Sequence, residues 1–236
     1  MIFTLGFFIL LFDIGYWIWI FSNFFMPLLY LIFAIIFSLP ILFWLLFGTG
    51  LSRSFRMSPD VENGQSFLEY YFPGTLMLIL LFTAIFATIS IIEDRREGFL
   101  QSVLVAPVPR WSMVLGKVMG GSLIALLQGT VFLLLAAAFQ ISLDVQTFFS
   151  VVALLFVAAL ALTSLGFVLA WRMESTQGFH AIMNLLLMPM WLLSGAFFPI
   201  PQTSGAGLGE QILHWVMRVN PVTYAVAGLR QMLNPT

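Results

Sequence analysis

The chain has 236 residues, of which 61% are hydrophobic and 8% charged, with a formal net charge of -1 and no cysteine. Soluble domains carry about 25% charged residues, so this composition excludes a water-soluble globular domain. The charge balance leaves no nucleic-acid footprint, and the missing cysteines exclude disulfides, thiolate metal sites and cysteine nucleophiles. Mean hydropathy is +1.05, and apolar runs of about 20 residues match a hydrocarbon layer ~30 Å thick. Lipid admits only helices or closed barrels, and barrel strands would alternate apolar with polar residues. These runs are apolar on every side, which predicts an all-α, polytopic transmembrane helix bundle.

In chain order, residues 1–26 form an N-terminal apolar segment that either spans the bilayer or lies in the interface, with Trp17 and Trp19 at headgroup level. It lacks the basic start and cleavage site of a secretory signal. Asp13 interrupts it, and an intramembrane carboxylate is a functional flag, although one near the surface is ordinary. Residues 27–200 hold the core. The second apolar run, from about Phe24 to Leu51, is followed by spans predicted over Tyr71–Ile92, Met113–Phe139, Phe148–Trp171 and Phe179–Ile200. The count is about five core spans plus the N-terminal helix. Residues 201–236 read as a re-entrant, amphipathic tail, with Leu208, Ile212, Trp215, Val216 and Val219 on one side of a helix that suits a membrane interface.

Basic residues near span ends mark the cytoplasmic side. Arg95, Arg96, Arg110 and Lys117 flank one connection, which places that loop inside and the tail outside. The loop, 93–111, is the most charged part of the chain. Glu93, Asp94 and Glu97 read as the start of a short helix, where carboxylates complement the dipole. Phe99, Leu100, Val103 and Leu104 make its apolar face, and Pro107 and Pro109 end it. Such a helix either docks into a groove on a partner or is a solvated connection.

Glu93-Asp-Arg-Arg-Glu-Gly98 with Ser102, Ala106-Pro-Val108, Arg110 and Leu115-Gly-Lys117 resembles the signature of ABC-2 type transporter permeases. Leu192–Pro199, Asn220-Pro-Val-Thr-Tyr224 with Gly228, Leu229 and Arg230, and Phe72-Pro-Gly74 match the same family in order. The resemblance implies a type V exporter-like bundle and a membrane-spanning subunit with no catalytic or metal site of its own. Its expected place is a bacterial or archaeal inner (plasma) membrane. It also implies a separate ABC ATP-binding subunit that carries ATP and Mg, and a second permease copy, identical or related. Glu93, Asp94, Arg95, Arg96, Glu97, Gly98, Leu100 and Pro107 would couple to that subunit. Asn220, Pro221, Thr223 and Tyr224 would belong to the outer re-entrant region. Two departures from the family's pattern are expected: the first segment lacks the basic amphipathic helix, and the sequence reaches Thr236 just where the family's last span would begin, which a truncated or misjoined sequence would also produce. A non-transporting membrane scaffold is the alternative, and the aromatic-rich spans hint at hydrophobic or amphiphilic cargo.

Other polar groups have simpler readings. His180 and Ser194 lie 14 positions apart in sequence, about 21 Å along a helix, too far for a nucleophile and its base. Gly116 and Gly120 form a small-xxx-small pattern for close helix packing inside the chain or between copies. Gln128 and Gln140 are expected to bond neighbouring helices, with a place on the lining of a pore as the alternative. His214 reads as an interface residue. No Gly-rich loop followed by Lys-Ser/Thr is present to cradle phosphates.

Overall fold

A computed structural model of the chain describes residues 38, 40–50, 67–99, 105, 109–138, 144–197 and 207–233. The chain divides into two compact units, Met1–Phe43 and Trp44–Thr236. In the first, the described residues begin a helix, α1 (Pro40–Gly50). The expected N-terminal segment 1–26, with Asp13, Trp17 and Trp19, lies outside the described residues.

The elements of the second unit, among its described residues, are all helices: α2 (Phe67–Arg96), α3 (Arg110–Ala138), α4 (Val145–Arg172), α5 (Thr176–Trp191) running into a π turn (Leu192–Ala196), α6 (Leu208–Val219) and α7 (Pro221–Leu233). Four of these, α2, α3, α4 and α5 with its π turn, are long and apolar enough to cross a membrane. At 30 residues, α2 is about 45 Å long and outruns the hydrocarbon layer. The sequence expectation ended this span at Ile92, where hydrophobicity stops. The helix continues to Arg96 because no breaker intervenes and because Arg95 and Arg96 in the last turn suit the negative end of its dipole. Starts are set by caps. Asp144 accepts from the Gln146 amide at 3.4 Å before α4, and Ser175 from the Gly178 amide at 3.1 Å before α5.

α2, α3 and α4 pack mutually and form the centre of the bundle. α2 is buried on nearly all sides from Phe67 to Ile85, so its uniformly apolar sequence reflects a protein environment as well as a membrane. Lipid provides no hydrophobic force between helices, so close van der Waals fit has to hold them. That fit uses missing side chains. A Cβ on Gly121 of α3 would come within 2.9 Å of both Ala87 of α2 and Thr163 of α4. One on Gly166 would meet Thr88 at 2.9 Å, and one on Gly129 would meet Leu80 at 2.8 Å. Gly116 and Gly120, which the sequence offered for this role, face the other way: a Cβ there meets nothing within 4 Å among the described residues. Gln128 does bridge helices, its carboxamide meeting the Thr83 hydroxyl of α2. Gln140 lies outside the described residues.

α5 stands apart from this triad. It lies on α2 through one stripe, Phe179, Met183, Leu187 and Trp191, and exposes Ile182, Asn184, Leu185 and Leu186 on its other side. α7 turns back onto α4, α2 and the π turn, burying Val222, Thr223, Val226, Leu229 and Leu233.

Candidate functional site

Two groups of polar residues lie at opposite ends of the spans. At the first, α2 finishes in Glu93-Asp94-Arg95-Arg96, and the chain leaves through a turn at Glu97 and Gly98. Glu93 and Asp94 therefore belong to the C-terminal turn of a span; the expectation that they open a short helix is corrected here. The turn closes with the Glu97 amide on the Glu93 carbonyl at 2.9 Å. Gly98 sits at φ +78°, the left-handed conformation in which glycine ends helices without a steric penalty. Leu100 and Pro107 lie outside the described residues, as does most of the expected amphipathic segment.

The six described coupling candidates separate by exposure. Glu93, Arg96 and Glu97 are exposed, Gly98 is intermediate, and Asp94 and Arg95 are half-buried and engaged within the chain. Asp94 meets Lys117 of α3 at 2.5 Å, and Lys117 donates to the Ser90 hydroxyl at 3.3 Å. Arg95 reaches α4: its guanidinium donates to the Trp171 carbonyl and, at 3.4 Å, to the Met173 carbonyl, and lies 5.2 Å from the centre of the Trp171 ring. Those carbonyls belong to the last turn of α4 and the residue after it, which a cation satisfies both as donor and as charge. Lys117 belongs to the Leu115-Gly-Lys117 pattern in the sequence. Ser90, Trp171 and Met173 carried no signal, because partners remote in sequence are not visible in a single chain.

At the other end the π turn interrupts the α5 span. Leu193 (φ -88°, ψ 19°) and Gly195 (φ 79°, ψ 7°) leave helical geometry, so nearby carbonyls lose their regular partners. Bare carbonyls are costly inside a membrane unless protein satisfies them. Asn220, buried, donates through Nδ2 to the Met190 carbonyl at 2.5 Å and the Leu193 carbonyl at 3.1 Å. Tyr70 donates its hydroxyl to the Gly195 carbonyl at 3.2 Å, and Arg230 donates to the same carbonyl at 2.9 Å while its guanidinium stacks 3.8 Å from the Tyr70 ring centre.

Local sequence explains each position. Asn220 precedes a proline, which favours extended backbone, and it has φ -72° and ψ 119°. Pro221 opens α7 where its missing N–H costs nothing, and Asn220 Oδ1 accepts from the Val222 amide at 3.0 Å. One asparagine thus starts a helix with its oxygen and caps a broken one with its nitrogen. Thr223 is buried, its amide bonded to the Asn220 carbonyl at 3.2 Å. Tyr224 is exposed and donates to the Arg218 carbonyl at 2.7 Å. In the Phe72-Pro73-Gly74 run, the Gly74 carbonyl accepts from Trp191 Nε1 at 2.8 Å. A Cβ on Gly74 would lie 2.7 Å from that of Ala196. Residues 27 to 125 positions apart in sequence therefore meet in one cluster around the π turn.

Ser194 donates to the Trp191 carbonyl at 2.6 Å, a local bond that leaves no nucleophile–base pair with His180, whose ring lies edge-on to Phe86. Among the described residues, no three His, Asp or Glu side chains gather as metal ligands would.

A sequence model described as ABC-2 type transporter matches residues 29–234. The chain is also 25% identical over 196 residues to a protein of Cyanophora paradoxa named as a transport permease, ycf38. That match covers 81% of this chain and 64% of the relative's length. No solved structure matches significantly.

Proposed function

The chain belongs to the ABC-2 type transporter family and is an integral, multi-pass membrane protein, and from that premise we propose that it is the membrane-spanning permease subunit of an ATP-driven exporter. Its charged end faces the cytoplasm and receives an ATP-binding subunit. A second permease copy completes the path. The ATP and its Mg are held by the partner, since this sequence carries no phosphate-cradling loop.

One observation carries this reading. The central helix of the bundle, α2, ends in an exposed turn whose Glu93, Arg96 and Glu97 face outward, while the adjacent Asp94 and Arg95 bind α3 and the end of α4. A partner bound to the first three residues pushes on helices held by the other two. A nucleotide shifts such a system between states only through its differential affinity for them, and closing an ATP-bound pair of subunits against this turn provides that difference.

The test uses tagged, full-length chain purified from its native membranes. An ATP-binding chain is expected to co-purify, with vanadate-sensitive ATP hydrolysis. Charge reversal by Arg96→Glu with Glu97→Lys should reduce both about tenfold, the low end of the ~1.5–7 kcal/mol coupling of close charge pairs across an interface, and leave the chain's own stability within about 0.5 kcal/mol. Failure of any ATP-binding chain to co-purify, or full hydrolysis and assembly with the reversed charges, would sink the reading.

A further inference from the structure

We propose that Arg95 is a positioning residue that conveys displacement of the exposed turn to α5, by gripping the joint between α4 and α5. This rests on the exporter reading above and names the route by which that input reaches a moving span.

Three observations converge on it. First, Arg95 holds two carbonyls at once, those of Trp171 and Met173, and stacks on Trp171. The planar guanidinium fork fixes orientation as well as position, which a point charge cannot do. Second, what it grips is short. Met173–Ser175 is all that separates the end of α4 from the start of α5. Ser175 caps α5 through the Gly178 amide, and the Met173 amide still bonds to the Ala170 carbonyl at 3.1 Å. A shift of Met173 is thus passed to the first turn of α5 with little slack. Third, α5 is built to move relative to its neighbours. It rests on α2 by a single stripe and ends in the π turn, where Gly195 at φ 79° breaks the helix. In the triad α2–α3–α4, the glycines at 121, 129 and 166 let the helices approach so closely that an added Cβ would fall under 3 Å from a neighbouring helix, whereas the one glycine of α5, Gly178, meets only Met173 and Ser175 of the joint. Arg95 therefore sits at the driven end of a lever whose pivot is the cluster around Gly195. Asp94, one residue earlier, ties the same turn to Lys117 of the triad, while Arg95 reaches past the end of α4 to Met173 in the joint.

The chain has no native cysteine, so spin labels can be placed on it before assembly without background from its own side chains. The complex of full-length chain and its co-purified ATP-binding subunit is reconstituted in lipid nanodiscs. Distances are measured between Asn184→Cys on α5 and Val157→Cys on α4, with Leu127→Cys on α3 against Val157→Cys as a control. The parent complex should show an α4–α5 distance that changes on trapping with ATP and vanadate, and a constant α3–α4 distance. With Arg95→Ala, the ratio of shifted to unshifted molecules should fall about tenfold, as expected for loss of charge-assisted hydrogen bonds. Subunit assembly, basal hydrolysis and the α3–α4 distance should hold, and a merely structural role would not separate these readouts. Arg95→Lys, which keeps the charge without the fork, should give a partial shift and serves where the alanine variant does not assemble. A full parental shift in either variant overturns the proposal. If the parent complex itself binds no ATP-hydrolysing chain, or shows no nucleotide-dependent distance, the exporter reading fails first and this link falls with it.

Discussion

The charged end and the π-turn end of the bundle hold their helices by different chemistry. At the π turn, Asn220, Tyr70 and the half-buried Arg230 close on backbone carbonyls that a broken helix would otherwise leave bare, and Trp191 ties the same turn to the Gly74 carbonyl of α2. Aromatic rings fill the space around them: Trp191 and Phe197 meet edge-on at 5.3 Å, and Tyr71 and Phe197 meet at a tilt at 4.8 Å. At the charged end, half-exposed ionic groups join helices whose geometry is otherwise regular. The first arrangement is expensive to open, because water cannot replace the lost partners. The second is weak per contact and can exchange partners. A permease that alternates between states needs both, a joint that persists through the cycle and an end that yields to input.

The largest effect that would break this contrast is at Asn220. Asn220→Ala strands the Val222 amide and two span carbonyls together. Each buried unsatisfied group costs about 1–3 kcal/mol, reduced in a membrane by partners found in the unfolded state, so a loss of about 3 kcal/mol is expected in equilibrium unfolding from mixed micelles. Asn220→Asp keeps the oxygen that caps α7 but removes both donors and sets a negative charge against carbonyls, so it should do no better than alanine. A loss below 1 kcal/mol for both variants would mean that the π turn is not held from α7.

A smaller effect is expected at the charged end. Lys117 and Asp94 are in contact at 2.5 Å, but their side chains keep 32% and 20% of their surface exposed. Ion pairs of this kind contribute roughly 0.5–1 kcal/mol and weaken with salt. A double-mutant cycle on Asp94→Asn and Lys117→Met should return a coupling of about that size, falling as sodium chloride is raised from 0.05 to 0.5 M, on the order of a threefold shortening of the screening length. A coupling above about 2 kcal/mol, insensitive to salt, would make this end as rigid as the other.

These two ends were unequally legible in the sequence. The spans were, because apolar runs bounded by caps and charges place helices directly: α3, α4 and α5 start within three residues of the expected positions, each extended by a turn carrying its cap or its polar end. The resemblance picked out Gly74, Asn220 and Arg230 as parts of patterns, but periodicity alone gives no reason for them. Their roles depend on a π turn, and nothing in a one-dimensional pattern says that Gly195 will take a positive φ or which carbonyls it will bare. At the charged end the residues were found and their division was not. Asp94 and Arg95 are indistinguishable in the sequence from Glu93 and Arg96. Only the rotation of α2, 100° per residue, turns one pair inward and the other outward.

A difference of sign rather than of size is expected at two glycines of α3, five positions apart. A Cβ at Gly121 meets Ala87 and Thr163 at 2.9 Å, whereas one at Gly116 meets nothing within 4 Å among the described residues. Gly121→Ala should destabilise by about 1–2 kcal/mol through overpacking. Gly116→Ala should stabilise by about 0.5 kcal/mol, because alanine loses less backbone entropy in a helix. The signs should therefore be opposite for one substitution in one helix. If Gly116→Ala instead loosens the assembly while the dilute, monomeric chain is stabilised as expected, the open face of α3 is a seam with a second copy, where backbones approach as closely as α3 and α4 do at Gly121. The small-xxx-small pattern at Gly116 and Gly120 would then be a feature of the dimer, and the rigid triad would extend across it, leaving α5 as the span free to move in each subunit.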